Sequence, residues 1–486
     1  MAAKPLNPLD ASWLLVESRE TPMHVGGLLV FSLPEKAPAD YMQKLMALFR
    51  ASTHCAPPWN QRLRGPGLEG LRPVWERETD IDLEHHVRHS ALPQPGGERE
   101  LGQLIARLHS QPLDLKRPPW ECTLIEGLAG ARFALYIKMH HSLIDGISGM
   151  KLLARSMASD PVKSRRLKPF WEIGIAPPKR GRSRKRSESP PPTVAEIVNS
   201  VVEGLKLQLD SLPNVARAFL GMASAFAKPE ETLKIPFDTP LSILNTRITG
   251  QRRFATQLFE IPRLKALAER AGATLNDIVL ALCGTALRRF LLELNELPDK
   301  PLTTGIPVSV RPKDDENTGN AITFIIATLG TDIADARERV EAIKASTRRA
   351  KQHLQELPRH ALMQYTVLLM APYMLSLLTG IGGRTRPMFN VTISNVPGPE
   401  GTLWFRGARL EATYPVSLVS HGQALNITCH GYDGRLAFGF TACRDALPSM
   451  QRLAPYTGEA LTELEAAYAE APSAPPKPRL KRRAGV

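Results

Sequence analysis

Cysteine is scarce in this chain, with five in 486 residues, at Cys55, Cys122, Cys283, Cys429 and Cys443. None falls in a C-x-x-C or similar metal spacing, and the count is odd. Unpaired thiols in a reducing, cytoplasmic setting are therefore expected, and no local motif marks any of the five as a nucleophile. Aromatic residues are also few, at 6%, and they are not interleaved with the basic runs as a nucleic-acid surface would require. Long apolar runs are almost missing. The segment 361–383 has no charged residue, but Gln364, Thr366, Ser376 and Thr379 interrupt it, Pro372 divides it, and Gly380, Gly382 and Gly383 end it. A membrane span needs about 20 mostly apolar residues. This segment reads instead as a broken helix buried in the core, with a lipid-facing surface helix as the alternative. Asp10, Glu17, Arg19 and Glu20 in the first twenty residues do not fit a secretory leader.

What is present is ordinary for a soluble globular chain: 43% hydrophobic and 23% charged residues, with a mean hydropathy of −0.18. The length suits two large domains. The unusual number is the net charge of +14, from 62 Lys+Arg against 48 Asp+Glu. The excess has two sources. Lys179, Arg180, Arg182, Arg184, Lys185 and Arg186 form one run, and Lys477, Arg479, Lys481, Arg482 and Arg483 form the other. Without those eleven charges the balance is about +3. Both runs lie among Pro, Ser and Gly, which is linker and tail composition.

Periodicity gives an outline of the elements. Strands are expected at 22–31, 122–126, 133–139, 305–310, 322–330, 389–394, 425–430 and 436–442. Helices are expected at 99–110, 148–157, 193–227, 262–270, 274–294 and 335–354. Strands and helices mix in both halves, which predicts an α/β (α+β layered) fold. The composition divides the chain into a first domain over 1–160, a basic Pro-rich linker with a connecting helix over 161–244, a second domain over 245–472 and a basic tail over 473–486.

The chemically loaded stretch is Met139-His140-His141-Ser142-Leu143-Ile144-Asp145-Gly146. Phe133, Leu135, Ile137 and Met139 alternate with Ala134, Tyr136, Lys138 and His140, a strand of period two. If the pleat runs on, His141 shares the apolar face and His140 points the other way, so the two do different jobs. A desolvated, neutral His141 at a strand end would be a good general base, and Asp145-Gly146 would supply the turn. Elsewhere, Thr274-Leu275-Asn276-Asp277 has the form of a capping box, making Asp277 a helix cap and leaving Asn276 on the first turn among open amide donors. Asn395 precedes a Pro-Gly-Pro turn, and Trp120 reads as a core residue. His85, His86 and His89 crowd together without the carboxylates or spacing of a metal site, so no metal is expected.

H-H-x-x-x-D-G after a strand resembles the signature of acyltransferases built on paired chloramphenicol-acetyltransferase-like domains. Within that group the chain is similar to the bacterial bifunctional wax ester synthase/diacylglycerol acyltransferase family. Most of its length carries the resemblance, through Pro8-Leu9-Asp10, Met23-His24-Val25-Gly26, His86-Val87-Arg88 and Leu113 to Glu121. It continues through Asn276-Asp277, Val308-Ser309-Val310-Arg311, Ser394 to Pro399 and Tyr414-Pro415-Val416-Ser417. Two departures stand out: the family's Pro-Leu-Trp reads Pro118-Pro119-Trp120, and 165–192 is unusually basic.

The resemblance implies two domains with a mixed sheet each and an active site in the channel between them. It implies direct acyl transfer from long-chain acyl-CoA, a substrate rather than a cofactor, to a fatty alcohol or diacylglycerol, with no acyl-enzyme. His141 would be the base. His140, Asp145, Gly146 and Asn276 would complete the catalytic set, with Arg311 partnering Asp145 and Asp277, Asn395 and Trp120 in support. The basic runs would hold the enzyme at an anionic inner-membrane or lipid-droplet surface, with no specific nucleic acid as partner. The alternatives are the same fold serving another hydroxyl or amine acceptor, and a non-catalytic protein that binds anionic membrane.

Overall fold

The computed structural model describes residues 4–6, 8–64, 73–144, 146–174, 234, 236–309, 322–356, 373 and 375–469. The expected helix at 193–227 and both basic runs lie outside them. Along the first half run β1 (Lys4–Pro5), α1 (Pro8–Leu15), β2 (His24–Ser32), α2 (Tyr41–Ala51), β3 (Gln61–Leu63), β4 (Val74–Arg77) and β5 (Val87–Ala91). Then come α3 (Glu98–Ser110), β6 (Trp120–Leu128), β7 (Arg132–His140) and α4 (Gly146–Ala154). The second half holds β8 (Arg252–Glu260), α5 (Ile261–Arg270), α6 (Leu275–Glu293), β9 (Thr303–Ser309), β10 (Ile322–Thr328) and α7 (Ala336–Glu356). It ends with β11 (Val391–Val396), β12 (Trp404–Phe405), β13 (Ala408–Val416), β14 (Leu425–Tyr432), β15 (Arg435–Cys443) and α8 (Leu453–Ala467).

Two six-stranded mixed sheets carry the fold, in the orders β12-β13-β2-β7-β6-β5 and β10-β9-β11-β14-β15-β8. A third, small sheet joins β1, β4 and β3. The mixed character is seen in the parallel β5–β6 and β11–β14 pairs beside antiparallel neighbours. Strand β7 is central, and both of its faces are buried. Its Phe133, Leu135, Ile137 and Met139 face a core with Trp59, Trp120 and Trp171. Its Ala134 and Tyr136 face a second core shared with Leu101, Leu104 and Ile105 of α3 and Phe254 of β8. That second core packs the two halves against each other. Behind the other sheet, α5, α6, α7 and α8 pack a third core around Leu280, Leu287, Phe438 and Phe440.

Local chemistry explains the boundaries. At the start of α3 the Glu100 carboxylate accepts from the Gly97 amide at 2.9 Å, and Leu101, Leu104, Ile105 and His109 fall on one buried stripe. Asp433 and Gly434 join β14 to β15 with φ of 46° and 74°, the left-handed pair a two-residue hairpin turn demands.

The second unit is not contiguous over 245–472. The β12–β13 hairpin leaves it and adds to the first sheet, where Leu410 pairs with Phe31 and Thr413 with Leu29. Strand β2 is buried along most of its length and needs a partner on its outer edge. Strand β13 supplies one, with Leu410 in the Trp-lined core and, past an irregularity in register, Ala412 and Tyr414 in the core shared with α3. Period-two reading of the sequence passed over this strand, and also over β8.

Candidate active site

Strand β7 ends at His140, and the chain turns at once. The Leu143 amide donates to the His140 carbonyl at 3.0 Å, so the pleat stops one residue earlier than alternation suggests. His140 continues the face of Lys138 and pairs in register with His24 on β2. It is fully buried. The Ser142 amide donates to its Nδ1 at 3.1 Å, which makes Nδ1 an acceptor and leaves the proton on Nε2. That Nε2–H donates to Glu17 Oε2 at 2.8 Å. Both ring nitrogens are therefore committed, and His140 has no lone pair to offer a substrate.

His141 is different. Its amide donates to the Met23 carbonyl at 2.9 Å, which ties the turn to the start of β2. The ring is half-buried rather than sunk in the interior. Its imidazole stacks on Trp13 of α1, with centroids 4.3 Å apart and planes 29° from parallel. The fully desolvated position expected for His141 belongs to His140, because the turn begins before His141 can enter the pleat. The two neighbours do diverge: one is locked, the other sits under an indole face.

Behind β7 lies a buried polar network that holds the strand and both halves together. Lys138 is 1% exposed. Its ammonium donates to the carbonyls of Gln111 at 2.8 Å and Leu108 at 3.1 Å and meets Glu121 Oε2 at 3.2 Å. Desolvation lowers its pKa, opposed by Glu121. The Glu121 carboxylate is also reached by Arg88 at 3.3 Å. His109 Nε2–H donates to the Ser417 carbonyl at 3.0 Å, so its Nδ1 accepts from the Tyr136 hydroxyl at 2.7 Å. His24 Nε2–H donates to the His109 carbonyl at 3.0 Å. Burial, helped by Arg252, pushes His109 down to about 3, and burial with His109 beside it pushes His24 well below the usual range. These imidazoles are neutral hydrogen-bonding groups.

A cavity of about 310 Å³ opens between the halves. Met150, Leu153 and Met157, on α4 and just beyond it, line one wall, and Val396 to Pro399 with His430 line another. Burial pushes His430 down to about 4, and it hydrogen-bonds Thr413 of β13. A Cβ at Gly398 would strike the Gly431 carbonyl and the His430 ring, so the Pro-Gly-Pro turn can lie this close only with glycine at its centre.

The other expected residues fall as follows. Asp145 and Arg311 lie outside the described residues, as do both basic runs. Gly146 opens α4 and is exposed. Asp277 is buried and caps α6: it accepts from the Thr274 amide at 2.9 Å and donates its own amide to Thr274 Oγ1 at 3.2 Å. Thr347 on α7 also donates to it, at 2.7 Å. Asn276 stands half-buried beside it. Among the described residues no hydrogen bond or ion pair links Asn276 to His140. Asn395 lies in β11 opposite Cys429, one residue before the cavity-lining turn. Trp120 is wholly buried, donates to the Trp59 carbonyl at 2.7 Å and stacks on His86. Among the described residues no three His, Cys, Asp or Glu side chains gather to hold a metal.

Sequence reading missed Trp13, Glu17, His109 and Lys138. Glu17 meets His140 across 123 positions, a pairing that local spacing cannot reveal. His24 had a weak signal, since it belongs to one of the quoted motifs.

A model of the wax ester synthase/diacylglycerol acyltransferase catalytic domain matches residues 6–279, and one of the C-terminal domain of that family matches 318–465. The chain is 38% identical to the O-acyltransferase WSD of Acinetobacter baylyi, over 96% of this chain and 98% of the relative. It is 46% identical, with the same coverage, to a Mycobacterium tuberculosis protein with a provisional diacylglycerol O-acyltransferase name. The solved wax ester synthase/diacylglycerol acyltransferase of Marinobacter aquaeolei is 38% identical with a TM-score of 0.78, covering 96% of this chain and 99% of that one. The first condensation domain of a calcium-dependent antibiotic synthetase shares the fold at 16% identity, with a TM-score of 0.53 over 96% and 97% of the two chains.

Proposed function

The chain belongs to the wax ester synthase/diacylglycerol acyltransferase family, and from that premise we propose an acyl-CoA-dependent O-acyltransferase that esterifies diacylglycerol, long-chain alcohols or both, with His141 as general base. In this reading the acceptor hydroxyl gives its proton to His141 as its oxygen attacks the thioester carbonyl. The tetrahedral intermediate collapses, the C–S bond breaks, and the imidazolium returns the proton to the CoA thiolate. No acyl-enzyme forms. The carrying observation lies at the end of β7: His140 has both nitrogens engaged within the protein, and the next residue, the half-buried His141, stacks on Trp13 at the turn toward the cavity-lining helix. The helix that follows lines an apolar cavity between the halves, of a size that suits part of an acyl chain. Asp145 with Arg311 would set the loop after the base, and Asn276 would polarise the thioester oxygen from the first turn of α6.

Purified protein given palmitoyl-CoA with hexadecanol or dioleoylglycerol is expected to release free thiol and form wax ester or triacylglycerol. Supplying both acceptors in competition ranks them. Thiol release dependent on neither acceptor, with no neutral lipid formed, would remove this reading and leave another acceptor for the same fold.

The acceptor and product lipids place the reaction at a lipid surface. No helix among the described residues is long and apolar enough to cross a membrane. The proposed association is a peripheral one, at the inner membrane or lipid inclusions. The two basic runs would supply it, each Lys or Arg contributing about 1 kcal/mol near an anionic surface. The exposed Leu378 and Ile381, next to exposed Arg384 and Arg386, suit the same contact. Neutralising 179–186 and 477–483 should weaken co-sedimentation with phosphatidylglycerol vesicles and abolish its salt dependence. Unchanged, salt-independent binding would refute it.

A further inference from the structure

We infer that Trp13 is a positioning residue for His141: its indole face fixes the imidazole plane and stabilises the imidazolium formed during transfer. The inference rests on the reading of His141 as the base. The ring centroids are 4.3 Å apart with planes 29° from parallel, well inside the roughly 6 Å over which an indole face attracts a cation. Trp gives the strongest such attraction of the aromatic side chains. The indole covers one face of the imidazole, and the nitrogen lone pair that takes the proton lies in the ring plane rather than on that face.

A second observation comes from the indole nitrogen. Among the described residues, Trp13 Nε1 is buried and has no hydrogen-bond partner. A buried indole N–H usually finds an acceptor, and leaving one unmade costs free energy. A ring placed for local stability would not sit this way. What α1 achieves with it is the stack on His141.

Asp10, on α1 with Trp13, is the acidic residue of that helix's first turn, and three other charged or titratable groups near His141 have partners within the protein. Glu17, just after α1, is taken by His140. His24 on β2 donates to His109, and Lys138 on β7 is held by Glu121 and two carbonyls. Asp145 lies outside the described residues.

The test compares Trp13→Leu, Trp13→Phe and His141→Ala by kcat, KM, the pH profile of kcat/KM and thermal melting. Trp13→Leu should lower kcat about 5- to 30-fold with little change in the KM for acyl-CoA. It should also move the acid limb of the profile to lower pH by about half a unit to one and a half units. Trp13→Phe keeps a ring face without the N–H and should stay within about 3-fold of the parent enzyme, since a phenyl face still attracts a cation. If Trp13→Phe is as damaged as Trp13→Leu, the N–H rather than the face matters and the inference falls. If Trp13→Leu melts normally and keeps both kcat and its acid limb while His141→Ala is inactive, the inference falls and the base reading stands. If His141→Ala retains activity, the base reading fails and takes the inference with it.

Discussion

His141→Ala should lower ester formation by at least the 10²–10⁴-fold that a positioned base supplies, while its melting temperature stays within a few degrees of the parent. The ring is half-buried and stacks on Trp13 through one face, so its loss opens less of the core than loss of the fully buried His140 ring. The KM for acyl-CoA should hardly move, because the missing interaction belongs to the transition state. His140→Ala should behave in the opposite sense. It removes a fully buried ring and leaves the Glu17 carboxylate, whose side chain is 12% exposed, without its 2.8 Å donor. An orphaned buried charge costs more than the roughly 1–3 kcal/mol of a neutral group, so this variant should melt well below the parent. Any activity loss should follow the fraction unfolded. Kinetics at 20 °C with parallel melting curves separate the two. Equal melting and equal activity loss in both variants would overturn the division of labour between the neighbours.

Much of this site was legible before any coordinates, and the reasons are specific. Residues 133–139 read as a strand because Phe133, Leu135, Ile137 and Met139 alternate with Ala134, Tyr136, Lys138 and His140, and β7 spans Arg132–His140. The capping box at Thr274 and Asp277 was readable because both partners lie within four residues. What stayed hidden depends on distance in sequence. Nothing near Glu17 announces His140, and nothing near Trp13 announces His141. The crossover of β13 into the first sheet was equally invisible, since alternation identifies a strand but not the edge it joins. The depth of His141 differs from what alternation predicts because the pleat stops at its last ladder pair, His140 with His24.

Lys138→Met should be the most destabilising of the single changes considered, lowering the unfolding free energy by about 3–5 kcal/mol. Three acceptors converge on this ammonium: the Glu121 carboxylate and the carbonyls of Leu108 and Gln111. The first of those carbonyls lies in the last turn of α3 and the second directly follows it, where a cation is favoured by the helix dipole. Methionine has about the right length but no donor. Among the described residues it leaves Glu121 with Arg88 at 3.3 Å as its one ion-pair partner, and it frees the helix end that carries His109 to the Ser417 carbonyl in the second half. Adding Glu121→Leu removes the stranded carboxylate, and the double variant should recover part of the loss, since two apolar groups replace a buried ion pair at little cost. Recovery stays partial because the two carbonyls still lack their donor. Urea midpoints of the two single variants and the double variant give the coupling energy directly. An unchanged midpoint in Lys138→Met would show that the ammonium does not hold α3 to the strand that presents His140 and His141. Activity in the folded fraction should fall less than in His141→Ala, since the network sets where β7 lies relative to the second half and leaves the proton transfer itself to the histidine at its end.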